Sequence, residues 1–380
     1  MLEKSGSMDD VDLFLEKTIR ELKCISLDGI ERYRKELNEK PKLIDLFLEV
    51  TSRCNAKCEH CGSSCGEKIP KDEISSEDLK KALKDISDAY NANEIFIYVT
   101  GGEPLMRKDL FDIMKYAKKL GFRWGITTNG MLFNDRIFKG LKDSKISSIS
   151  ISLDGLKETH EKFRKVPGCY NIIIDNIKKI LSSNVCELLQ ITTVANKKNL
   201  NELEDIYKLL LDLGVKYWRV VTVDPIGRAK KNDGILLDKK EFKQVLEFIK
   251  EKRNEGKMVV DYGCSHYLGI DLEKEIRDYF FNCGAGLFIA SILSNGDIYV
   301  CPNVERRKEL IQGNIKTDNF VDVWENKFKE FRSERLTEKC SKCKKCKSFK
   351  YCRGDSFHTF NFDENKPNIC MKEIMGKDFK

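Results

Sequence analysis

The chain has 380 residues, 41% of them hydrophobic, and a formal charge of +7 from 68 Lys and Arg against 61 Asp and Glu. That leaves room for one large domain and a second, smaller one, while the charge excess is spread over charged helices as ordinary solvation. No apolar run approaches the ~20 residues of a membrane span and no secretory signal opens the chain, so no membrane partner is expected and the localisation expected is cytoplasmic. Fifteen cysteines in such a chain argue for metal binding or catalysis rather than a disulfide framework.

Residues 1 to 40 read as a charged helical segment, with Val11, Phe14, Leu15, Ile19 and Leu22 at helical spacing. From 41 to 256 strand and helix alternate. Strands are expected near 43–50, 94–100, 123–128, 146–153, 187–194 and 217–223. Helices are expected near 75–90, 107–120, 133–142, 170–183, 199–213 and 238–253, the first capped by Ser75. Parallel neighbours need crossover connections, so six strand–helix units predict a parallel sheet with helices outside it, too few for a closed eight-stranded barrel. A second, Cys-rich region starts near Lys257 and runs to 380. In it Ser294-Asn-Gly296-Asp is a clear hairpin turn between two short strands.

The motif with most chemical content is Cys54-x3-Cys58-x2-Cys61, directly behind the first strand. It supplies three thiolates from one loop, enough for three corners of a cubane cluster whose fourth iron stays open for chemistry. Structural zinc competes for close cysteines but needs four ligands, usually from paired knuckles. The second strand ends in Gly101-Gly102-Glu103-Pro104, where two glycines permit close backbone approach to a ligand and Glu103 adds an acceptor. Further on, Ile149, Ile151 and Leu153 alternate with Ser150 and Ser152, one face apolar and one small and polar, closed by Asp154-Gly155.

Together these motifs resemble the radical S-adenosylmethionine (SAM) enzymes. The resemblance implies an α/β fold, the partial (β/α)6 barrel, with SAM chelated through its amino and carboxylate groups by the open iron of a 4Fe–4S cluster on Cys54, Cys58 and Cys61. It implies that Gly101, Gly102 and Glu103 contact the SAM amino group and that Ser152 and Asp154 lie by its ribose and carboxylate. Val223, at the end of the sixth strand, would lie by the adenine. Read without the resemblance, Ser152 and Asp154 end a strand into a turn.

In the second region, Cys283-Gly-Ala-Gly and then Cys301-Pro302 after the hairpin resemble the opening of a SPASM domain, a small Cys-rich α+β extension of many peptide-modifying radical SAM enzymes. Cys343, Cys346, Cys352 and Cys370 match that family's distal auxiliary cluster, with zinc as the alternative occupant. The proximal cluster breaks the pattern, because Ser356 stands where a further cysteine is usual. Cys283 and Cys301 then need other ligands, for which Cys264 and Cys340 are candidates and Asp355 a poorer one. One or two auxiliary iron–sulfur clusters are therefore expected. The lysines of 339–347 offset cluster charge, so nucleic acid is not expected as a partner. Cys24, Cys169 and Cys186 read as ordinary small residues. Cys65 follows the triplet closely enough to be near its chemistry, His60 packs by the cluster, and His160, His266 and His358 have no spaced partners.

The reading is an enzyme that cleaves SAM to a 5′-deoxyadenosyl radical and abstracts hydrogen from a ribosomally made peptide or protein, giving a cross-link, thioether or oxidation. The alternatives are a tetrapyrrole side-chain decarboxylase or other small-molecule enzyme, a sulfatase maturase, which Ser356 disfavours, and a non-catalytic zinc or nucleic-acid-binding module. An electron donor such as flavodoxin or ferredoxin is implied. Because residues 1 to 40 are too short for the peptide-recognition domain of some maturases, so is a separate leader-binding protein.

Overall fold

A computed structural model describes residues 26–66, 72–263, 265–278, 280–332 and 340–376. The apolar positions at 11 to 22, together with Cys24 and Cys264, lie outside the described residues. Helix α1 (Leu27–Glu39) begins at Ser26, whose hydroxyl accepts the Gly29 N–H at 3.0 Å.

Seven parallel strands then follow in the same order in sequence and in space: β1 (Asp45–Glu49), β2 (Phe96–Thr100), β3 (Arg123–Thr128), β4 (Ser148–Ser152), β5 (Leu188–Ala195), β6 (Tyr217–Thr222) and β7 (Val259–Tyr262). Crossovers carry α2 (Ser76–Ala89), α3 (Leu110–Lys119), α4 (Asp135–Asp143), α5 (Lys157–Arg164) with α6 (Cys169–Ser183), α7 (Leu203–Asp212) and α8 (Lys239–Glu255). Ser75 caps α2 by accepting the Asp78 N–H at 3.0 Å, and Asp238 with Glu241 forms a capping box on α8. Two elements exceed the sequence expectation. Helix α5, Lys-Glu-Thr-His-Glu-Lys-Phe-Arg, shows almost no apolar stripe because its buried face is His160, Phe163 and Arg164. Strand β7 is only four residues long and, among the described residues, pairs with β6 alone, so it carries little pattern.

Side chains alternate across the sheet as a pleated strand requires. On β4, Ile149 and Ile151 are fully buried on the helix side, whereas Ser150 faces the barrel interior with its Oγ 2.9 Å from Thr192 Oγ1 of β5. Trp218 of β6, also fully buried, packs edge-on against Phe248 of α8.

After α9 (Ile270–Ile276) the chain returns to the first strand. Strand β8 (Ile289–Ile292) pairs in parallel with the free edge of β1, Asp45 opposite Ile289 and Leu48 opposite Ile292. The Ser294 hairpin, with Gly296 at φ +93°, leads into antiparallel β9 (Asp297–Tyr299) and then β10 (Gly313–Asn314), completing one ten-stranded sheet. Short elements close the chain: α10 (Phe320–Asn326), α11 (Lys329–Arg332), α12 (Ser341–Lys344), α13 (Phe349–Cys352), the pair β11 (Phe360–Asn361) and β12 (Lys366–Pro367), and α14 (Met371–Met375).

Candidate functional site

Cys54, Cys58 and Cys61 stand on the loop that leaves β1, which folds back on itself: the Cys54 N–H donates to the Gly66 carbonyl at 2.6 Å and the Gly66 N–H to the Ser52 carbonyl at 3.3 Å. Two arginines from distant elements lace this loop. Arg228, beyond β6, donates from its backbone N–H to the Cys61 carbonyl (3.0 Å), from Nε to that of Cys58 (2.7 Å) and from Nη1 to that of Cys65 (3.0 Å). Arg164, at the end of α5, reaches the Cys58 sulfur at 3.6 Å. Burial pushes the Cys54 thiol up to about 11 and raises Cys58 as well, with Arg164 opposing the latter. The Cys65 thiol hydrogen-bonds Cys61, holding Cys61 below the usual thiol range and Cys65 above it. His60 stacks on Phe163 with ring centres 4.7 Å apart, and burial lowers its pKa to about 4, so it packs as a neutral ring.

The glycine turn after β2 lies directly on this loop. The Gly102 N–H donates to the Thr51 carbonyl at 2.8 Å and the Glu103 N–H to that of Arg53 at 2.7 Å. A Cβ on Gly101 or Gly102 would collide with those same carbonyls, which is why glycine is needed at both positions. Glu103 itself is fully buried. It accepts from the Leu105 N–H (3.1 Å), the Thr128 hydroxyl (2.8 Å) and the Asn129 N–H (2.8 Å), tying the turn to the end of β3. Asp154 is likewise occupied, accepting from Arg164 Nε at 2.6 Å and the Val194 N–H at 2.8 Å. Burial works to raise its pKa, but the Arg164 charge holds it below the usual range. Both carboxylates thus accept from protein donors. Ser152, by contrast, is half-buried at the end of β4, on the interior face.

Inside the barrel, a cavity of about 190 Å³ at the strand exits is lined by His60, Gly62, Val223 and Asp224. A second, of about 220 Å³, runs between Phe47 and Tyr98 on one side and Cys283, Cys301 and His358 on the other. The third, of about 380 Å³, fills the strand-entry half beside Gly125, Ser148 and Gln190. Arg219 of β6 borders all three.

The C-terminal cysteines fall into two groups. Cys343, Cys346 and Cys370 are close enough to act on one another electrostatically, as are Cys352 and Cys370, and Lys372 Nζ lies 3.6 Å from the Cys346 sulfur. Cys340 stands beside this group: it caps α12, its sulfur accepting the Cys343 N–H at 3.3 Å. Cys283 and Cys301 border the second cavity, with the Cys301 sulfur 3.5 Å from His358 Nε2. Ser356 is fully buried, and Asp355 is spent on His266 Nδ1 (2.7 Å) and the Tyr267 N–H (2.8 Å), so it is no spare ligand. Among the described residues no three His, Cys, Asp or Glu side chains converge on a single metal ion.

Two family models match the chain. The radical SAM superfamily covers residues 48–210, and SPASM, an iron–sulfur cluster-binding domain, covers residues 283–347. The protein is a radical SAM enzyme with a SPASM domain. Its cofactors are SAM, a 4Fe–4S cluster and auxiliary iron–sulfur clusters. This radical SAM enzyme is similar to the AdoMet-dependent heme synthase of Methanosarcina barkeri, 27% identical over 346 residues that span 86% of this chain and 95% of that protein. It is also similar to the Fe-coproporphyrin III synthase of the same organism, 30% identical over 203 residues, 53% of this chain and 50% of that one. In fold it is similar to Streptococcus suis SuiB bound to S-adenosylmethionine, with a TM-score of 0.66 at 19% identity, covering 92% of this chain and 83% of that one.

The relatives correct the expected substrate. A ribosomally made peptide or protein followed from the SPASM resemblance, whereas three curated relatives matched over 82% to 95% of their own length are AdoMet-dependent heme synthases. SPASM cysteines specify cluster binding and do not by themselves name a substrate. For the clusters and SAM the residues fit: three cysteines share one loop, two arginines oppose their charge, and the glycine turn brings backbone against that loop. Arg164, Arg219 and Arg228 are the residues that sequence reading misses, since nothing local distinguishes them from surface arginines. Among the described residues no helix is long and apolar enough to cross a membrane.

Proposed function

We propose that this enzyme decarboxylates carboxylate side chains of an iron tetrapyrrole. The observation that carries the reading is the similarity to an AdoMet-dependent heme synthase through 95% of that protein. On this reading Cys54, Cys58 and Cys61 hold the SAM-cleaving cluster, and Cys343, Cys346, Cys352 and Cys370 hold an auxiliary one. When bound, these groups supply electrons and the 5′-deoxyadenosyl radical that takes hydrogen. The chain's residues supply placement. Arg164 and Arg228 offset thiolate charge, and Asp154 is a positioning residue acting through Arg164. With the Glu103 carboxylate occupied, the contribution of Gly101 to Glu103 toward SAM is made by backbone. The Ser152 hydroxyl and the Val223 side chain offer a polar and an apolar contact at the strand exits.

A hydrogen atom leaves the carbon β to a propionate-type carboxylate, the C–C bond to that carboxylate breaks, CO2 departs, a vinyl group forms, and one electron passes to an electron acceptor. An electron donor such as flavodoxin or ferredoxin, in a cytoplasmic setting, belongs to the same reading. The test is anaerobic incubation of reconstituted protein with SAM, dithionite and Fe-coproporphyrin III. Mass spectrometry is expected to show loss of the elements of formic acid from each reacting side chain, alongside 5′-deoxyadenosine. SAM cleavage with the tetrapyrrole unchanged would overturn the reading.

A further inference from the structure

Arg219 projects from the middle of β6 into the barrel interior, on the face shared with Val221 and opposite to the buried Trp218 and Val220. Its Nε is buried without a hydrogen-bond partner, and no described residue forms an ion pair with its guanidinium. Other charges on the same face are matched: Arg123 lies 2.8 Å from Glu187, and Glu49 lies 2.5 Å from Arg306. The acid beside Arg219 in strand register is Asp261, which lies 4.0 Å from Arg253 and acts on Arg219 through space without forming an ion pair with it. A guanidinium nitrogen buried in a cavity wall without a partner is costly, and the planar guanidinium is the side chain best shaped to take a carboxylate through two parallel hydrogen bonds.

We infer that Arg219 binds a carboxylate of the substrate inside the barrel. The inference rests on the tetrapyrrole reading above and adds the anchoring residue to it. SAM also carries a carboxylate, but its place is at the cluster loop, by the strand exits. Arg219 sits three residues short of Thr222, in register with Thr192 of β5, which in turn pairs with Ser152 at the end of β4. It borders, besides, the cavity that reaches Cys283 and Cys301 and the one at the strand entries. A group anchored there can extend from the strand-exit cavity beside the cluster loop into the two cavities beyond it. A macrocycle carrying carboxylates around its rim has that shape.

The experiment is a Soret-band titration of the reconstituted protein with Fe-coproporphyrin III and with its tetramethyl ester, in which no carboxylate is free. In R219Q the Kd for the acid is expected to rise about tenfold or more. R219K, which keeps the charge, should recover part of the loss and stands in if R219Q fails to fold. The ester should bind wild type and R219Q alike, and the SAM Kd by equilibrium dialysis should not move. Equal binding of the acid by wild type and R219Q overturns the Arg219 assignment while leaving the tetrapyrrole reading intact. Weakened SAM binding with unchanged tetrapyrrole binding gives the guanidinium to SAM instead and also overturns it. If wild type binds neither acid nor ester, the tetrapyrrole reading fails and takes the assignment with it.

Discussion

Asp154 holds Arg164 at 2.6 Å, and Arg164 in turn is held against the Cys58 sulfur at 3.6 Å. A residue buried completely beneath the end of β4 therefore fixes a positive charge on the cluster loop without touching that loop. Asp154→Asn should destabilise the fold by roughly 3–5 kcal/mol in denaturant titrations, because it leaves Arg164 buried without its anion. Replacing both residues by apolar ones of similar size should cost less than the single change. A double variant as damaged as the sum of its parts would mean that the pair acts independently.

Glu103 accepts three hydrogen bonds in a site closed to water. Glu103→Ala should cost about 2–4 kcal/mol by orphaning buried donors, whereas Glu103→Gln, which keeps the shape and one acceptor, should cost less and retain SAM binding. Loss of SAM affinity in the Gln variant at unchanged stability would show that the carboxylate meets the cofactor directly.

Changing Cys54, Cys58 and Cys61 together to Ala should abolish 5′-deoxyadenosine formation and leave a 4Fe–4S Mössbauer signal from the C-terminal cysteines. Product formed by that triple variant would refute the cluster assignment. Zinc recovered in place of the remaining iron would refute the auxiliary one.

Burial raises Asp224 to about 6, beside His358 at 3.9 Å. Its folded-state pKa lies above the unfolded carboxylate value near 3.9, so the folded form binds more protons in between. Stability on this account is present below about pH 4 and is lost as pH rises through 6, by an amount on the order of 3 kcal/mol. Asp224→Asn should remove that slope, so its stability advantage over wild type should grow between pH 4 and 7 and then level off. A constant difference across that range would show that Asp224 is not held protonated.

The barrel is legible in the sequence because its information is local. Ser75, the β4 alternation and the Gly296 hairpin each declare an element within a few residues, and all three appear where expected. The cysteine loop and glycine turn were equally visible. What surrounds them was hidden, because Arg164 and Arg228 act across 106 and 170 residues and carry no pattern that marks them. Glu103 and Asp154 were visible as acids, but whether an acid faces a ligand or the protein depends on Thr128, Asn129 and Arg164, which only the fold brings near. The substrate was least legible, since the SPASM cysteines report a metal site and are silent on what lies over the barrel.

Strand β1 has β2 on one edge and β8 on the other, and the Ser294 hydroxyl donates to Glu49 across 245 residues. A ribosome extending this chain therefore releases the first strand long before its second neighbour exists. Until residue 292 emerges, one side of β1 presents open backbone donors and acceptors, an invitation to pair with another nascent chain. A stop codon placed between β7 and β8 should thus yield an aggregating product in place of a soluble smaller enzyme, and the interval before β8 arrives is when a chaperone would be most useful to this protein.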